Sequence, residues 1–283
     1  MSRQTKKLDA YIITLINDAR SMTLARTCVQ SIMQTRSKIN PHILPATTPR
    51  EIEYHLTQMQ ETDIDMKPST FRDALLVESK HYDAGPTLAN YTWPITDADN
   101  RLDLATGLQL NAYRAKDYRK IVACTVSHMR AWIQCIRTNR PIIVLEQDAY
   151  FAKQFMYDRI SSSKDDEETW GIIGLNYPQA GQTRRASTYI AEMEKHATSR
   201  NLKPLMEVPT VNKIGEPPVP QGLAGNSAYM IKPWAARALL NKTVEIGIWP
   251  NDALICKELF PWIRQIGFAV TAIQEGSPST TTG

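Results

Sequence analysis

Short apolar runs and helical apolar stripes take turns along this chain, and their alternation predicts its elements. Ala10 to Ile16 is a run suited to a strand, and Asn17 and Asp18 break it. From Ser21 to Arg36 the apolar positions Met22, Ala25, Val29, Ile32 and Met33 follow helical spacing. His42 to Leu44 suggests a short second strand. Thr48, Pro49 and Glu51 then form a helix start, with threonine as cap, proline in the first turn and glutamate closing a capping box. That helix is expected to run to about Gln60. Ile121 to Asn139 carries a longer stripe at Val122, Val126, Met129, Ile133 and Ile136.

The next segment, Pro141 to Phe151, reads Pro-Ile-Ile-Val-Leu-Glu-Gln-Asp-Ala-Tyr-Phe. An apolar, unalternating run suits a strand buried on both faces, as in a parallel sheet. Trp170 to Leu175 predicts a further buried strand. Ala228 to Ile231 predicts another, followed by a helix from Pro233 over Trp234 to Asn241. A helix over Ala253 to Leu259 and a last strand over Ile266 to Ile273 complete the pattern. Strand, polar turn and helix in this order open a β-α-β unit, so the expected class is α/β with a mostly parallel central sheet. Two stretches lack the pattern, at about 61–118 and 178–221. They are expected to be insertions in a single domain spanning 1–283, with a flexible Ser/Thr/Pro-rich tail from about 276.

Composition narrows the class. The chain has 283 residues, 42% hydrophobic and 22% charged, with a net charge of +4. That is globular and mildly basic, which suits an anionic substrate. Four scattered cysteines with no Cys-x-x-Cys spacing read as buried thiols in a reducing compartment. The charged N-terminus lacks the apolar core of a secretory signal, and no stretch has the length of a membrane span. The expected location is the cytoplasm, including the cytoplasmic face of a membrane.

Candidate chemistry centres on Glu146 and Asp148. Two carboxylates just past a buried strand sit where open α/β sheets place ligands. Such a pair can hold a hard divalent ion, and the ion a diphosphate. The alternative is a strand that simply ends in a polar loop. No glycine-rich turn follows the first strand, so a dinucleotide fingerprint and a P-loop are absent. Gly222 and Gly225 permit tight turns near a ligand. His128 is either structural or functional, and Asp252, at a helix start, is either a cap or a base. Asp97-Ala98-Asp99 has no buried strand leading into it and reads as a solvated loop. Arg184 and Arg185 could meet an anion or simply face solvent. Arg114, Lys116, Arg119 and Lys120 could meet a polyanion or likewise be a solvated face.

Three segments together resemble one family, the glycosyltransferases of the lipopolysaccharide-biosynthesis type, family 25, which includes collagen galactosyltransferases. The first is the strand and turn from Tyr11 to Arg20. The second is Ala123-Cys-Thr-Val-Ser-His-Met-Arg-Ala-Trp132 followed by the acidic strand. The third is Gly225-Asn-Ser-Ala-Tyr-Met-Ile and the helix after it, with Asn251-Asp252 beyond.

The resemblance implies a GT-A type fold, a Rossmann-like α/β/α sandwich that binds a nucleotide sugar. It implies that Thr14, Leu15, Arg20, Ser127, His128, Glu146, Gly225 and Asn226 contact the donor. It also implies that Asp148 and Glu146 meet Mn²⁺ or Mg²⁺, and that Asp252 is the base of an inverting transfer. The expected donor is a UDP-sugar, and the expected acceptor is a saccharide hydroxyl such as that of lipopolysaccharide. Hydroxylated bases in DNA, or no catalysis at all, are the alternatives. Gln147 replaces an aspartate of the family pattern, which lowers the charge available to a metal. No histidine follows His196 to serve as a C-terminal ligand.

Overall fold

The structure is a computed structural model. It describes residues 7–61, 91–113, 115–160, 170–177, 186–198, 205–210, 212, 214–223, 225–267 and 270–274. Arg114, the pair Arg184–Arg185 and the tail from 276 lie outside the described residues.

A seven-stranded sheet organises the molecule. In chain order its strands are β1 (Leu8–Thr14), β2 (Ile39–Pro45), β5 (Ile142–Glu146), β7 (Ile172–Gly174), β8 (Leu205–Glu207), β9 (Ala228–Ile231) and β10 (Ile263–Ile266). Across the sheet the order is β2-β1-β5-β9-β7-β10-β8. Strands β2, β1, β5, β7 and β10 share one direction, while β9 and β8 run against it. The sheet is therefore mostly parallel, as the alternation of strands and helices predicts. Two short ribbons lie outside it: β3 (Arg101–Leu102) with β4 (Gln109–Leu110), and β6 (Ala149–Phe151) with β11 (Thr271–Ile273).

The period of two along β5 divides the core. Ile142 and Val144 join one apolar cluster, Ile143 and Leu145 the other. The first cluster takes in α3 (Tyr118–Thr138), through Val122, Val126, Met129 and Ile133. It also takes in α5 (Pro233–Ile246) and, through Ile52 and Leu56, α2 (Ile52–Glu61). The second packs on Ala25, Cys28 and Ile32 of α1 (Ala19–Gln34). Helices thus cover both faces, as a strand buried on both sides requires. Burial raises the Cys28 thiol to about 12, with the charge of Asp148 adding to the rise.

Local signals explain the helix ends. Asp18 caps α1 by accepting from the Ser21 N–H at 2.6 Å, and Asp117 caps α3 by accepting from Arg119 N–H at 3.0 Å. The expected Thr48–Glu51 box survives in part, since Glu51 accepts from Thr48 N–H at 2.9 Å, and regular helix starts at Ile52. Helix α3 stops at Asn139, which adopts the left-handed conformation with φ 47°.

Several expectations need correction. The stretch 178–221, read as an insertion or flexible loop, is not all loop, since its described residues carry α4 (Ala186–Thr198) and strand β8. Helix α5 extends past Asn241 to Ile246. The apolar run Ala253–Leu259 is not a helix of that length, because α6 covers Asn251–Leu254 and a turn follows. The strand expected over Ile266–Ile273 is two strands, β10 and β11, separated at Gly267. A Cβ at Gly267 would collide with the His196 ring, so helix α4 closes over that break. Asp97 to Asp99 forms an exposed 3-10 turn closed on Thr96, as its polar surroundings predict.

The cap at Asn139 gives a test. Replacing Asn139 with alanine places a Cβ-bearing residue without a local polar side chain in a left-handed site, at a cost of about 1 kcal/mol. Asn139→Gly should match or exceed the native stability. Urea unfolding midpoints of the two variants check this, and equal midpoints would contradict the capping account.

Candidate functional site

The parallel strands β1, β2 and β5 end at one edge of the sheet, and the antiparallel β9 begins there. Glu146 sits at that edge, in register with Ile13 of β1. Its N–H donates to the Ser227 carbonyl at 2.8 Å, which brings the 225–227 loop beside it. Helix α3 leads directly into β5, so its first half lies over the same edge. This is the crevice where open α/β sheets bind ligands.

Four groups meet there. His128 on α3 is fully buried. Its Nε2 lies 3.3 Å from Glu146 Oε1 and its Nδ1 lies 2.9 Å from the Tyr229 hydroxyl. Tyr229 also accepts from Trp132 Nε1–H at 2.8 Å. Tyr229 has one proton to give, and giving it to Nδ1 leaves Nε2–H to donate to the carboxylate. This assignment satisfies every member of the chain from Trp132 through Tyr229 and His128 to Glu146. Cys124, one helical turn before His128, joins the group. One ligand atom from each of Cys124, His128 and Glu146 lies within 4.8 Å of the others. Burial, then the charges of Glu146 and Asp252, push the Cys124 thiol well above its ordinary value.

Asp252 lies across from these groups at the start of α6. Its Oδ1 accepts from the Tyr113 hydroxyl at 2.8 Å. By surface area the residue is exposed, yet protein surrounds it densely. A carboxylate on the floor of a concave site meets both conditions. Desolvation raises its pKa above the usual aspartate value and Glu146 adds to the rise, while the Tyr113 hydrogen bond opposes it.

The backbone around Asp252 is held from several sides. Thr125 Oγ1 donates to the Trp249 carbonyl at 3.0 Å and accepts from Asn251 N–H at 3.1 Å. Cys124 Sγ approaches Asn251 Oδ1 at 3.6 Å. Gly222 passes so close that a Cβ there would lie 2.5 Å from the Asp252 carbonyl oxygen. Trp249 packs edge-on to Trp93, and Trp93 packs edge-on to Tyr113. The described part of the 61–118 stretch thereby delivers Tyr113 to the carboxylate.

The remaining candidates are distributed as follows. Thr14 is buried, and its hydroxyl donates to Ile12 O at 3.0 Å within its own strand. Leu15 N–H donates to Ser21 Oγ at 2.9 Å, and Arg20 is exposed in the first turn of α1. Ser127 spends its hydroxyl on structure, donating to Ala123 O and accepting from Thr47 N–H, both at 2.8 Å. Gly225 has φ 68°, a conformation that favours glycine. Both amide atoms of Asn226 are buried without a hydrogen-bond partner among the described residues. Asp148 lies in the β5–β6 turn, where its carbonyl accepts from Gln274 N–H at 3.0 Å. Its charge is felt by Cys28 on α1, and its carboxylate is not among the ligand atoms grouped at Cys124, His128 and Glu146. Of the basic cluster, Lys116 is exposed, and Arg119 donates to Pro49 O at 2.8 Å.

Sequence reasoning missed Tyr113, named Tyr229 and Asn251 only within the family pattern and without a role, and read Cys124 only as a thiol. The spacing of Cys124 and His128, four residues apart in a helix, was the signal available for one pair.

A mostly parallel sheet with an acidic crevice at its carboxyl edge is shared by several enzyme classes, and the family match decides among them. The family described as glycosyltransferase family 25 (LPS biosynthesis protein) matches residues 102–255, more than half of the chain. The chain belongs to that family; the acidic-strand segment and the segment from Gly225 to Asp252 lie inside the match, and the segment from Tyr11 to Arg20 lies outside it. A search of curated proteins finds no match. Among solved structures, the apo form of mouse xyloside xylosyltransferase 1 aligns at 13% identity with a TM-score of 0.34. The alignment covers 90% of this chain and 79% of that one.

The buried chain through Tyr229 predicts a stability effect. Tyr229→Phe leaves Trp132 Nε1 and His128 Nδ1 without a partner, at a cost of about 1–3 kcal/mol for each group. Urea unfolding should show the loss, and an unchanged midpoint would mean that the chain carries no weight.

Proposed function

We propose that this glycosyltransferase moves a sugar from a nucleoside-diphosphate donor, a UDP-sugar, to the hydroxyl of a saccharide acceptor with inversion. The saccharide class follows the family description, which names lipopolysaccharide biosynthesis. One observation carries the reading: Glu146 at the end of β5 and Asp252 at the start of α6 face one crevice, near enough that the charge of Glu146 raises the proton affinity of Asp252.

In this reading Asp252 is the base. It takes the proton of the acceptor hydroxyl as the oxygen attacks the anomeric carbon. The new carbon–oxygen bond forms on the face opposite the breaking bond to the diphosphate, and the nucleoside diphosphate leaves. Tyr113 and the backbone N–H groups of Asp252 and Ala253 hold the carboxylate in place for the acceptor. His128 fixes Glu146, and the open amide of Asn226 offers a donor and an acceptor to a ligand hydroxyl. Arg20, exposed in the first turn of α1, is the basic group this reading assigns to phosphate.

The donor chemistry of Glu146 and Asp148 suits a hard divalent ion, since both offer carboxylate oxygens at a strand end. Glu146 keeps about a third (32%) of its side chain open to solvent. These two residues would hold Mn²⁺ or Mg²⁺, and such an ion supplies charge neutralisation for the diphosphate.

Two experiments test the reading. Asp252→Asn should lower UDP release and sugar transfer about 10²–10⁴-fold while leaving donor binding intact. Because burial raises the Asp252 pKa, the acidic limb of the native pH–rate profile should lie above the ordinary aspartate range. Tyr113→Phe removes a bond to the ionised form and should move that limb further up. Undiminished transfer by Asp252→Asn would exclude it as the base. In the second experiment, Asp148→Ala should weaken UDP binding in the presence of Mn²⁺, measured by calorimetry. Equal affinity would remove Asp148 from the donor site.

A further inference from the structure

We infer that Cys124, His128 and Glu146 form a binding site for a thiophilic divalent cation of the Zn²⁺ class, separate in its ligand chemistry from any ion on Asp148. The inference rests on these three side chains and stands or falls independently of the transfer reaction.

The ligands come from two rigid elements. Cys124 and His128 are one turn apart on α3, and Glu146 ends the central strand β5. Their ligand atoms lie within 4.8 Å of one another. Zinc–ligand bonds of about 2.0–2.3 Å place tetrahedral ligand atoms roughly 3.3–3.8 Å apart. Closing the group around an ion therefore takes side-chain shifts on the order of 1 Å. A thiol, an imidazole and a single carboxylate are the donor set of zinc rather than of magnesium. Asp148, the second oxygen donor expected for a hard ion, is not part of this group.

A second, independent observation concerns the ring behind the site. A metal-binding histidine ordinarily has its other nitrogen held by an oxygen partner, which fixes the ring. His128 Nδ1 has that partner in the Tyr229 hydroxyl, itself held by Trp132, so Nε2 is aimed at the group. Glu146 is partly open to solvent, which gives an ion an entry path and leaves room for a fourth ligand.

The proton balance is closed. Cys124 gives its thiol proton to solvent as sulfur takes the metal. The His128 proton passes from Nε2 to Nδ1 and is donated to Tyr229 Oη, whose own O–H turns from Nδ1, and the ring stays neutral. The thiolate and carboxylate then balance the dication.

The full chain, freed of metal, is titrated with Cd²⁺ followed by its ultraviolet thiolate charge-transfer absorption, and with Zn²⁺ followed by calorimetry. One ion per chain should bind, with release of a proton. Cys124→Ser should abolish the cadmium band and weaken Zn²⁺ binding at least about tenfold. Asp148→Asn should leave both intact. In ¹⁵N-histidine spectra of the native chain, Zn²⁺ should move His128 Nε2 to the metal-bound position and show Nδ1 protonated. This measurement decides the matter even where a variant fails to fold. No cadmium band in the native chain, the same band in Cys124→Ser, its loss in Asp148→Asn, or an unmoved His128 would each overturn the inference.

Discussion

The crevice depends on one buried chain of hydrogen bonds, from Trp132 to Tyr229 to His128 to Glu146. It joins α3, β9 and β5, the three elements that meet behind the site. Tyr229 lies on the strand that runs against its neighbours, between β5 and β7. That reversal is useful, because it starts β9 at the same edge where β5 ends. The loop ahead of β9, with Gly225 and Asn226, is thereby carried to Glu146. A polar chain in so apolar a core is stable only when every member is satisfied. Here a tyrosine with one proton and two partners favours the arrangement in which Nε2–H serves Glu146 while no ion is bound.

A second polar network performs the same task on the other side of β9. Asn176 donates to Ser227 and accepts from Thr271 Oγ1 at 2.6 Å, while its carbonyl accepts from Gln265 Nε2 at 3.0 Å. It ties the end of β7, the β9 loop, β10 and β11 together. The approach of Asn176 to Gly225 leaves little room for a Cβ there, only 3.2 Å. The positive φ of Gly225 and this contact together explain why a glycine stands beside Asn226.

Elements whose burial follows a simple period could be read from sequence. The strand from Ile142 to Leu145, the stripe of α3 and the run Ala228–Ile231 each declare one or two buried faces. Elements whose burial comes from distant partners could not. Among its described side chains, helix α4 shows only Tyr189 and Met193 as buried anchors in a polar stretch, a stripe too sparse to distinguish from loop. The run from Ala253 is apolar because α3, Gly222 and the tryptophans cover it from all sides, so its composition says little about its backbone. Tyr113 reaches Asp252 across 139 residues of sequence. It does so through Trp93 and Trp249, contacts that leave no local pattern. Asp252 and Glu146 were legible as acids at element ends, whereas their proximity was a property of the fold alone.

That proximity sets the electrostatic problem of the site. Glu146 and Asp252 both raise the Cys124 thiol, and Glu146 raises Asp252 in turn. A diphosphate entering the same crevice brings further negative charge, and low-dielectric walls make the repulsion stronger than in water. Such a site is stable to its own ligand only if positive charge arrives with it or a carboxylate gives up its charge. His128 cannot supply the whole balance, because in its neutral form its one ring proton serves Glu146. In the proposed mechanism a divalent cation beside Glu146 would resolve the conflict for the donor, and proton uptake by Asp252 would resolve it for the acceptor. The two acids thus suit different tasks because of their surroundings. Glu146 is pinned by a buried donor and faces the strand end, whereas Asp252 keeps contact with solvent and has a raised proton affinity.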